Sequence, residues 1–155
     1  MVGWERFREQ APELAAAVRE RFDAHGHKTM ATIRADGSPR ISGTEVQFRD
    51  GQLWLGGMPG SRKCLDLRRD GRVAIHSGSD DPDAWTGDAK IAGSAVEVTD
   101  EQVIARFADG APPGPFHLFR IELTEAVVVS LGRPADHLVI ESWHEGRGTD
   151  RVERS

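Results

Sequence analysis

The chain has 155 residues, of which 38% are hydrophobic and 29% charged, a composition that predicts one soluble globular domain over residues 1–155. Its formal net charge of −5 argues against a general nucleic-acid binder, because such proteins are usually basic. The chain has no apolar run near the roughly 18 residues of a membrane span and no secretory leader pattern, so it is expected to be cytoplasmic and without a membrane partner. Its single cysteine is expected to form no internal disulfide, which fits a reducing cytoplasm.

The first segment is predicted to be helical. Residues 4–24 are rich in Ala and Glu, and apolar residues recur at intervals of four, as at Leu14 and Val18. Pro12 is expected to separate a short first turn from the rest of the helix. Gly26 is the expected end of the helix, since glycine favours the C-terminal cap position.

From residue 28 onward the apolar period changes to two, which indicates strands. The pairs Asp36-Gly37 and Asp50-Gly51 are strong hairpin signals. They predict a three-stranded meander over 28–35, 39–48 and 52–56.

The later elements follow from the same patterns. They are a helix over 61–69, a strand over 72–77, a polar loop over 78–83, a strand over 88–98, a helix over 101–108 capped by Thr99-Asp100, a rigid Pro-rich link over 111–115, and strands over 116–130 and 137–144. Six or seven meandering strands with few helices favour a mainly-β (α+β) fold, a closed or partly open antiparallel barrel.

The most informative motif is the segment Gly56–Lys63, which joins a strand to the second helix. It delivers the hydroxyl of Ser61 and the cations of Arg62 and Lys63 at a helix N-terminus, where free N–H groups and the positive dipole end favour anions. Arg adds a planar fork for phosphate and Lys a point charge. We interpret the segment as a cofactor phosphate site; the alternative is an ordinary loop with solvated cations.

The C-terminal segment is the second motif. Trp143 lies near the end of the last predicted strand, and a Gly turn and several arginines follow, among them Arg151. An aromatic wall with nearby cations suits a planar anionic ligand, and the alternative is a frayed, basic terminus. His117 is interpreted as structural. No Cys/His spacing typical of a metal site accompanies the histidines, and neither Ser61 nor Cys64 has the context of a catalytic nucleophile.

Together the two motifs resemble those of the pyridoxamine 5′-phosphate oxidase-like family, whose members have the FMN-binding split-barrel fold. The resemblance covers roughly residues 28–154. It implies an N-terminal helical segment (1–26), a barrel (28–146) and a tail (147–155). It also implies a homodimer that binds FMN or coenzyme F420 at the interface between its two copies.

The resemblance implies a role for each matching residue. Arg62 and Lys63 would bind the cofactor phosphate, and the backbone of Gly56 and Gly57 would approach the ring system or the ribityl chain. No catalytic side chain is implied, because the cofactor carries the chemistry. The implied cofactor-binding residues are Arg40, Gly56, Gly57, Ser61, Arg62, Lys63 and Trp143, and Arg151 is the implied substrate-binding residue.

Three positions depart from the family pattern. Glu153 stands where the oxidase has a substrate-binding His, the Lys expected late in the second strand is absent, with Glu45 and Gln47 nearby instead, and Asp88 corresponds to an expected Gln. A negative Glu153 would repel a phosphorylated substrate. The expected function is therefore an FMN- or F420-dependent oxidoreductase that transfers hydride to or from a small organic substrate, and not a genuine pyridoxamine-phosphate oxidase. The alternatives are a non-catalytic flavin or F420 carrier or sensor, and a haem-binding relative with His144 as axial ligand.

Overall fold

The computed structural model describes residues 1–108 and 115–155, which form four helices and nine strands. The helices are α1 (Trp4–Gln10), α2 (Pro12–Asp23), α3 (Arg62–Arg69) and α4 (Glu101–Phe107). The strands are β1 (Lys28–Ile33), β2 (Pro39–Thr44), β3 (Gln47–Arg49), β4 (Gln52–Gly57), β5 (Arg72–His76), β6 (Gly87–Glu97), β7 (His117–Leu131), β8 (Leu138–His144) and β9 (Gly148–Arg154).

All nine strands belong to one antiparallel sheet, in the order β2-β1-β5-β6-β7-β4-β3. The long strand β7 pairs with β6 along one edge, and with β4 and then β8 along the other. Among the described residues no ladder joins β2 to β3, so the barrel stays open there. This confirms the expected mainly-β, α+β split barrel.

The structure has more strands than the six or seven expected. The predicted strand over 39–48 is divided at Glu45 and Val46, because β2 pairs with β1 whereas β3 pairs with β4. The predicted tail over 147–155 is mostly β9, which pairs with β8 through a turn with Gly146 at φ +79°. All seven residues of β9 are exposed. Because neither face of the strand is buried, its sequence does not need the alternation of apolar residues by which a half-buried strand is recognised.

The hairpin and cap predictions are confirmed. Gly37, Asp50 and Gly51 have positive φ values of 85°, 53° and 72°, as tight hairpin turns require. Asp100 caps α4 because its side chain accepts hydrogen bonds from the backbone N–H groups of Gln102 and Val103, at 2.9 and 3.2 Å. Residues 111–114 of the expected rigid link lie outside the described residues.

The N-terminal helix is two helices that pack on the sheet. Pro12 begins α2, as its missing N–H allows at a first helical position. The expected end at Gly26 is wrong, because Ala24 is the cap residue and its N–H bonds to Glu20 O at 3.1 Å. Phe7 of α1 and Phe22 of α2 are fully buried in the main core beneath them. None of the described helices is both long and apolar enough to cross a membrane.

Candidate anion-binding site

A tight turn presents the N-terminus of α3. Ser61 N–H donates to Met58 O at 3.1 Å, and Gly60 has φ +75°. Pro59 and Gly60 are the residue types that a type II turn favours at its two central positions. The first helical bond runs from Leu65 N–H to Ser61 O at 3.0 Å. The N–H groups of the three residues before Leu65 therefore have no partner within the helix.

Close packing of α3 against β4 depends on Gly57. A Cβ atom at this position would collide with the sulfur of Cys64, which is fully buried. Burial raises the pKa of the Cys64 thiol, so this cysteine stays protonated and acts as a packing residue. A glycine at position 57 thus lets the helix N-terminus approach the strand.

The cations of the loop differ in their contacts. Lys63 Nζ donates to Gly43 O on β2 at 3.0 Å, which leaves two of its three N–H donors for other acceptors. Arg62 is exposed and forms no ion pair with any described residue. Ser61 Oγ is buried beside the thiol of Cys64, a weak hydrogen-bond partner, and has no nitrogen or oxygen partner within the described part of the chain.

Arg40 reaches the same helix from β2 through the buried carboxylate of Asp66. Asp66 accepts hydrogen bonds from Arg40 Nε at 2.7 Å, Thr32 Oγ1 at 2.8 Å and Arg69 at 3.1 Å. Burial alone would raise the pKa of the Asp66 carboxyl, but these three donors outweigh it and lower that pKa. Asp66 thus holds the Arg40 side chain against α3 and stays ionised.

His117 is a residue of this site that the sequence did not reveal. Its Nε2 lies 3.3 Å from Gly60 N, so a neutral His117 accepts the N–H of the turn glycine. Its Nδ1 lies 3.7 Å from a Glu97 oxygen, and Glu97 also pairs with Arg68 at 2.9 Å. The only available signal was the strand register, which places His117 opposite Gly57 and cannot be read without the tertiary pairing.

A cavity of about 640 Å³ opens beside the same strand. Gly56 and Gly57 line it, together with apolar side chains of β4, α4 and the start of β7. Glu45 and Gln47, two of the positions that depart from the family pattern, also line this cavity. The loop and the cavity therefore share the end of β4.

The structure does not bring Trp143 to this loop. The Trp143 side chain is 1% exposed and lies in the main core, where its ring centroid is 4.8 Å from that of Phe7. A ring without a free face cannot form the wall of a ligand site, so the expected role of Trp143 is corrected to a core role. The cause is the helical layer, because Phe7 of α1 packs on the Trp143 ring and α2 packs against β8.

Arg151 and Glu153 of the C-terminal segment lie at the surface, and Asp88, the remaining position that departs from the family pattern, lies in β6. Arg151 is exposed on β9 and donates to Glu153 at 3.1 Å. Asp88 accepts hydrogen bonds from Ser79 at 2.6 Å and from the Trp85 ring nitrogen at 2.8 Å. Arg151 is therefore separate in its contacts from Arg40, Ser61 and Lys63, and its substrate role stays a prediction.

Within residues 1–108 and 115–155, no group of three or more His, Cys, Asp or Glu side chains could hold a metal ion. His144 lies 3.4 Å from a Glu125 oxygen on the neighbouring strand. This pair joins β8 to β7, and no hydrogen bond or ion pair links it to the described residues of the α3 loop.

The sequence matches the family model described as pyridoxamine 5′-phosphate oxidase over residues 14–130, a span that includes the α3 loop, Arg40 and the cavity. The chain belongs to the pyridoxamine 5′-phosphate oxidase family. No curated protein sequence matches the chain significantly.

Solved structures share the family's fold at low sequence identity. PhzG from Burkholderia lata, in complex with tetrahydrophenazine-1-carboxylic acid, has a TM-score of 0.63 and 16% identity, over 97% of this chain and 92% of its own. A pyridoxamine 5′-phosphate oxidase-related, FMN-binding protein from Nostoc punctiforme has a TM-score of 0.62 and 13% identity, over 94% and 96%. HutZ, a haem storage protein from Vibrio cholerae, has a TM-score of 0.56 and 19% identity, over 74% and 89%.

Proposed function

We propose that this chain is a flavin- or deazaflavin-dependent oxidoreductase. It would bind FMN or coenzyme F420 by its phosphate at the α3 loop and transfer hydride between the cofactor and a small organic substrate. The observation that carries the proposal is the buried Ser61 Oγ, which has no nitrogen or oxygen partner among the described residues and lies at the N-terminus of α3. A phosphate oxygen at this N-terminus would accept its hydrogen bond.

The charges at the loop fit a phosphate group. Arg40, Arg62 and Lys63 supply three cations, and the buried Asp66 supplies one carboxylate. Because a phosphate monoester carries a charge of about −1.5 to −2 at pH 7, the surplus of positive charge matches it. Asp66 keeps Arg40 in place, and Lys63 is held by β2, so the site is organised before the ligand arrives.

The cofactor ring is assigned to the cavity side of β4, where Gly56 is exposed and Gly57 adjoins α3. When bound, the cofactor supplies the hydride chemistry, and the chain's residues bind the phosphate and leave room beside the ring. The carboxylate of Glu153, where a His was expected, and that of Glu45, near the place of the expected Lys, support a substrate other than a phosphorylated pyridoxamine.

We assign a homodimer to the outer face of the sheet. Ile41 is 75% exposed there, and the register aligns it with Ala31, Ala74 and Ala92 across β2, β1, β5 and β6. A row of small apolar side chains that ends at an exposed Ile suits a second copy of the same sheet. Ile41→Glu is expected to convert a dimer to monomer in light scattering, and a chain that is already monomeric would contradict the assignment.

The test is a titration with FMN, riboflavin and F420, followed by visible absorbance and cofactor fluorescence. Riboflavin lacks only the phosphate of FMN, so FMN is expected to bind at least about tenfold more tightly, since each hydrogen bond to a charged group contributes about 1.5–3 kcal/mol. Equal affinity for FMN and riboflavin would contradict the phosphate site. A Soret band after addition of haem, without FMN binding, would favour the haem-binding alternative.

Turnover is tested separately. The protein with reduced cofactor is mixed with menadione, a quinone that accepts hydride, and the cofactor spectrum is followed. Reoxidation faster than that of the free cofactor is expected for an oxidoreductase. Tight cofactor binding without any such acceleration would favour the carrier or sensor.

A further inference from the structure

The cavity beside β4 has the size and lining of a small-molecule site. Its volume of about 640 Å³ lies within the roughly 300–1,000 Å³ typical of such sites. Trp54 of β4, Phe107 of α4, Leu118 of β7 and Phe116, just before β7, contribute apolar lining. Aromatic side chains pack well against a planar apolar molecule, so the lining favours a ligand with a ring body.

Lys28 is the cationic residue among those that line this cavity, and its Nζ also lies 6.0 Å from the centroid of the Phe22 ring. It lines the cavity, is only 7% exposed, and donates through Nζ to His25 O at 2.7 Å and Gly26 O at 3.2 Å. No carboxylate of the described residues lies within 4.0 Å of this ammonium group. Burial lowers the pKa of Lys28, opposed by the more distant charges of Asp23 and Glu45.

The two carbonyls use two of the three N–H donors of the Lys28 ammonium group. They follow the C-terminus of α2, where carbonyl groups favour a cation, and they hold the Lys28 side chain in position. Charged groups with high burial are normally paired with an opposite charge, because desolvation of an ion is costly. An anion with access to the remaining donor would complete the set of partners.

Glu45 is the other charged residue in the lining. Its side chain is 76% exposed and lies 3.7 Å from His27 Nε2, so water screens its charge far more than that of Lys28. Buried Lys28 therefore dominates the electrostatic preference of the cavity. Glu45 opposes a ligand with several negative charges more strongly than one with a single charge.

We propose that this cavity binds an aromatic monocarboxylate, with its ring among the apolar side chains and its carboxylate on Lys28 Nζ. Binding itself does not depend on the cofactor. The identification of this ligand as the substrate class rests on the proposed function, because Gly56 and Gly57 line the cavity and also adjoin the assigned cofactor ring.

The experiment uses isothermal titration calorimetry with naphthalene-2-carboxylate and with naphthalene-2-methanol, a neutral probe of nearly equal shape. The carboxylate is expected to bind about tenfold more tightly than the alcohol, because a charge-assisted bond replaces a neutral one. Equal affinities for the two probes, or no binding of either, would overturn the proposal. Displacement of the carboxylate by inorganic phosphate would also overturn it, because the probe would then lie at the α3 loop.

Matched variants locate the effect. Lys28→Met should bring the carboxylate-to-alcohol ratio to about one, whereas Lys90→Met, which removes an exposed lysine of β6, should leave the ratio unchanged. Glu45→Gln should strengthen carboxylate binding by about two- to threefold and leave alcohol binding unchanged, since it removes a screened negative charge. An unchanged carboxylate-to-alcohol ratio in Lys28→Met, or weaker carboxylate binding in Glu45→Gln, would contradict the proposed position of the carboxylate.

One variant blocks the cavity without removing a charge. A Cβ atom at Gly56 would lie 3.7 Å from His117 O, an ordinary contact, so Gly56→Leu can place its side chain in the cavity and should abolish binding of both probes. Unchanged binding in this variant would place the probes elsewhere. If Lys28→Met does not fold, the probe ratio of the original chain and the Glu45→Gln variant decide the question. Failure of FMN to bind would refute the proposed function and leave these results unaffected.

Discussion

The α3 loop and the C-terminal segment were the two motifs of the sequence that suggested a ligand, yet their side chains are arranged differently in the structure. Around the loop, Ser61 caps the N-terminus of α3, Lys63 of its first turn bonds to β2, and Arg40 of β2 bonds to Asp66 of the same helix. In the C-terminal segment, Trp143 is buried under α1 and Arg151 is exposed on β9. Both segments contain an aromatic or turn residue and nearby arginines, but only around the loop do the predicted site residues share contacts with one helix.

The difference comes from how each segment is organised. The loop residues lie within one turn and the first turn of a helix, so their proximity follows from local geometry. Trp143 and Arg151 lie on two neighbouring strands, where alternate side chains face opposite sides. Their proximity in sequence therefore does not place their side chains on the same surface.

The largest effect is expected from Trp143→Ala. Loss of this buried ring should lower the free energy of unfolding by about 3–5 kcal/mol, because a large cavity remains in the core. Urea denaturation measures it, with Ser142→Ala on the opposite face of β8 as the control, at less than about 0.5 kcal/mol. If Trp143→Ala were as stable as the original chain but bound FMN more weakly, the interpretation of Trp143 as a wall of the cofactor site would be correct instead.

Asp66→Ala is expected to have the next largest effect, about 3 kcal/mol at pH 7, because Arg40 and Thr32 lose a buried acceptor. The pKa of Asp66 is lowered in the folded chain. Its contribution is therefore present above the unfolded pKa of about 3.9 and is lost as the pH falls through the lower folded pKa.

The measurement is urea denaturation of the original and Asp66→Ala chains between pH 7 and pH 3. The stability difference should narrow at the acidic end, and Asp81→Ala in an exposed loop should show little difference at any pH. A difference that grows on acidification would mean that folding raises the pKa of Asp66 instead of lowering it.

Lys63→Ala tests the loop as a phosphate site. FMN affinity should fall by about tenfold or more, because a charge-assisted bond is lost, while riboflavin affinity should stay the same. Lys90→Ala is the control, because it also removes a lysine but one that makes no contact with the described residues of the loop. Equal losses for FMN and riboflavin would indicate a folding defect, and unchanged FMN affinity would refute the site.

The smallest effect is expected from Arg151→Ala. The Arg151–Glu153 pair is exposed, so the free energy of unfolding should change by less than about 0.5 kcal/mol. FMN affinity should not change, because the α3 loop makes no contact with Arg151. A clear loss of FMN affinity would show that the C-terminal segment completes the cofactor site, for example from a second copy.

Much of the fold was readable from local patterns. The two Asp-Gly hairpins, the Asp100 cap and the helix that follows Ser61 were predicted at nearly their observed positions. Each depends on backbone preferences within a few residues. The prediction missed β9 and the break between β2 and β3, because partner strands determine these features and local apolar periodicity does not reveal them.

The sequence by itself determined the family, the antiparallel split barrel and the cationic turn at the N-terminus of α3, because each depends on short-range patterns that survive without knowledge of packing. Only the tertiary structure decided that Asp66 and His117 support this turn, that Lys28 lines an apolar cavity, and that Trp143 belongs to the core. These contacts join residues from separate strands and helices, with separations such as 26 positions for Arg40 and Asp66 and 57 for Gly60 and His117. Strand register and the facing of each side chain bring such pairs together, and both are set by the packing of the whole chain.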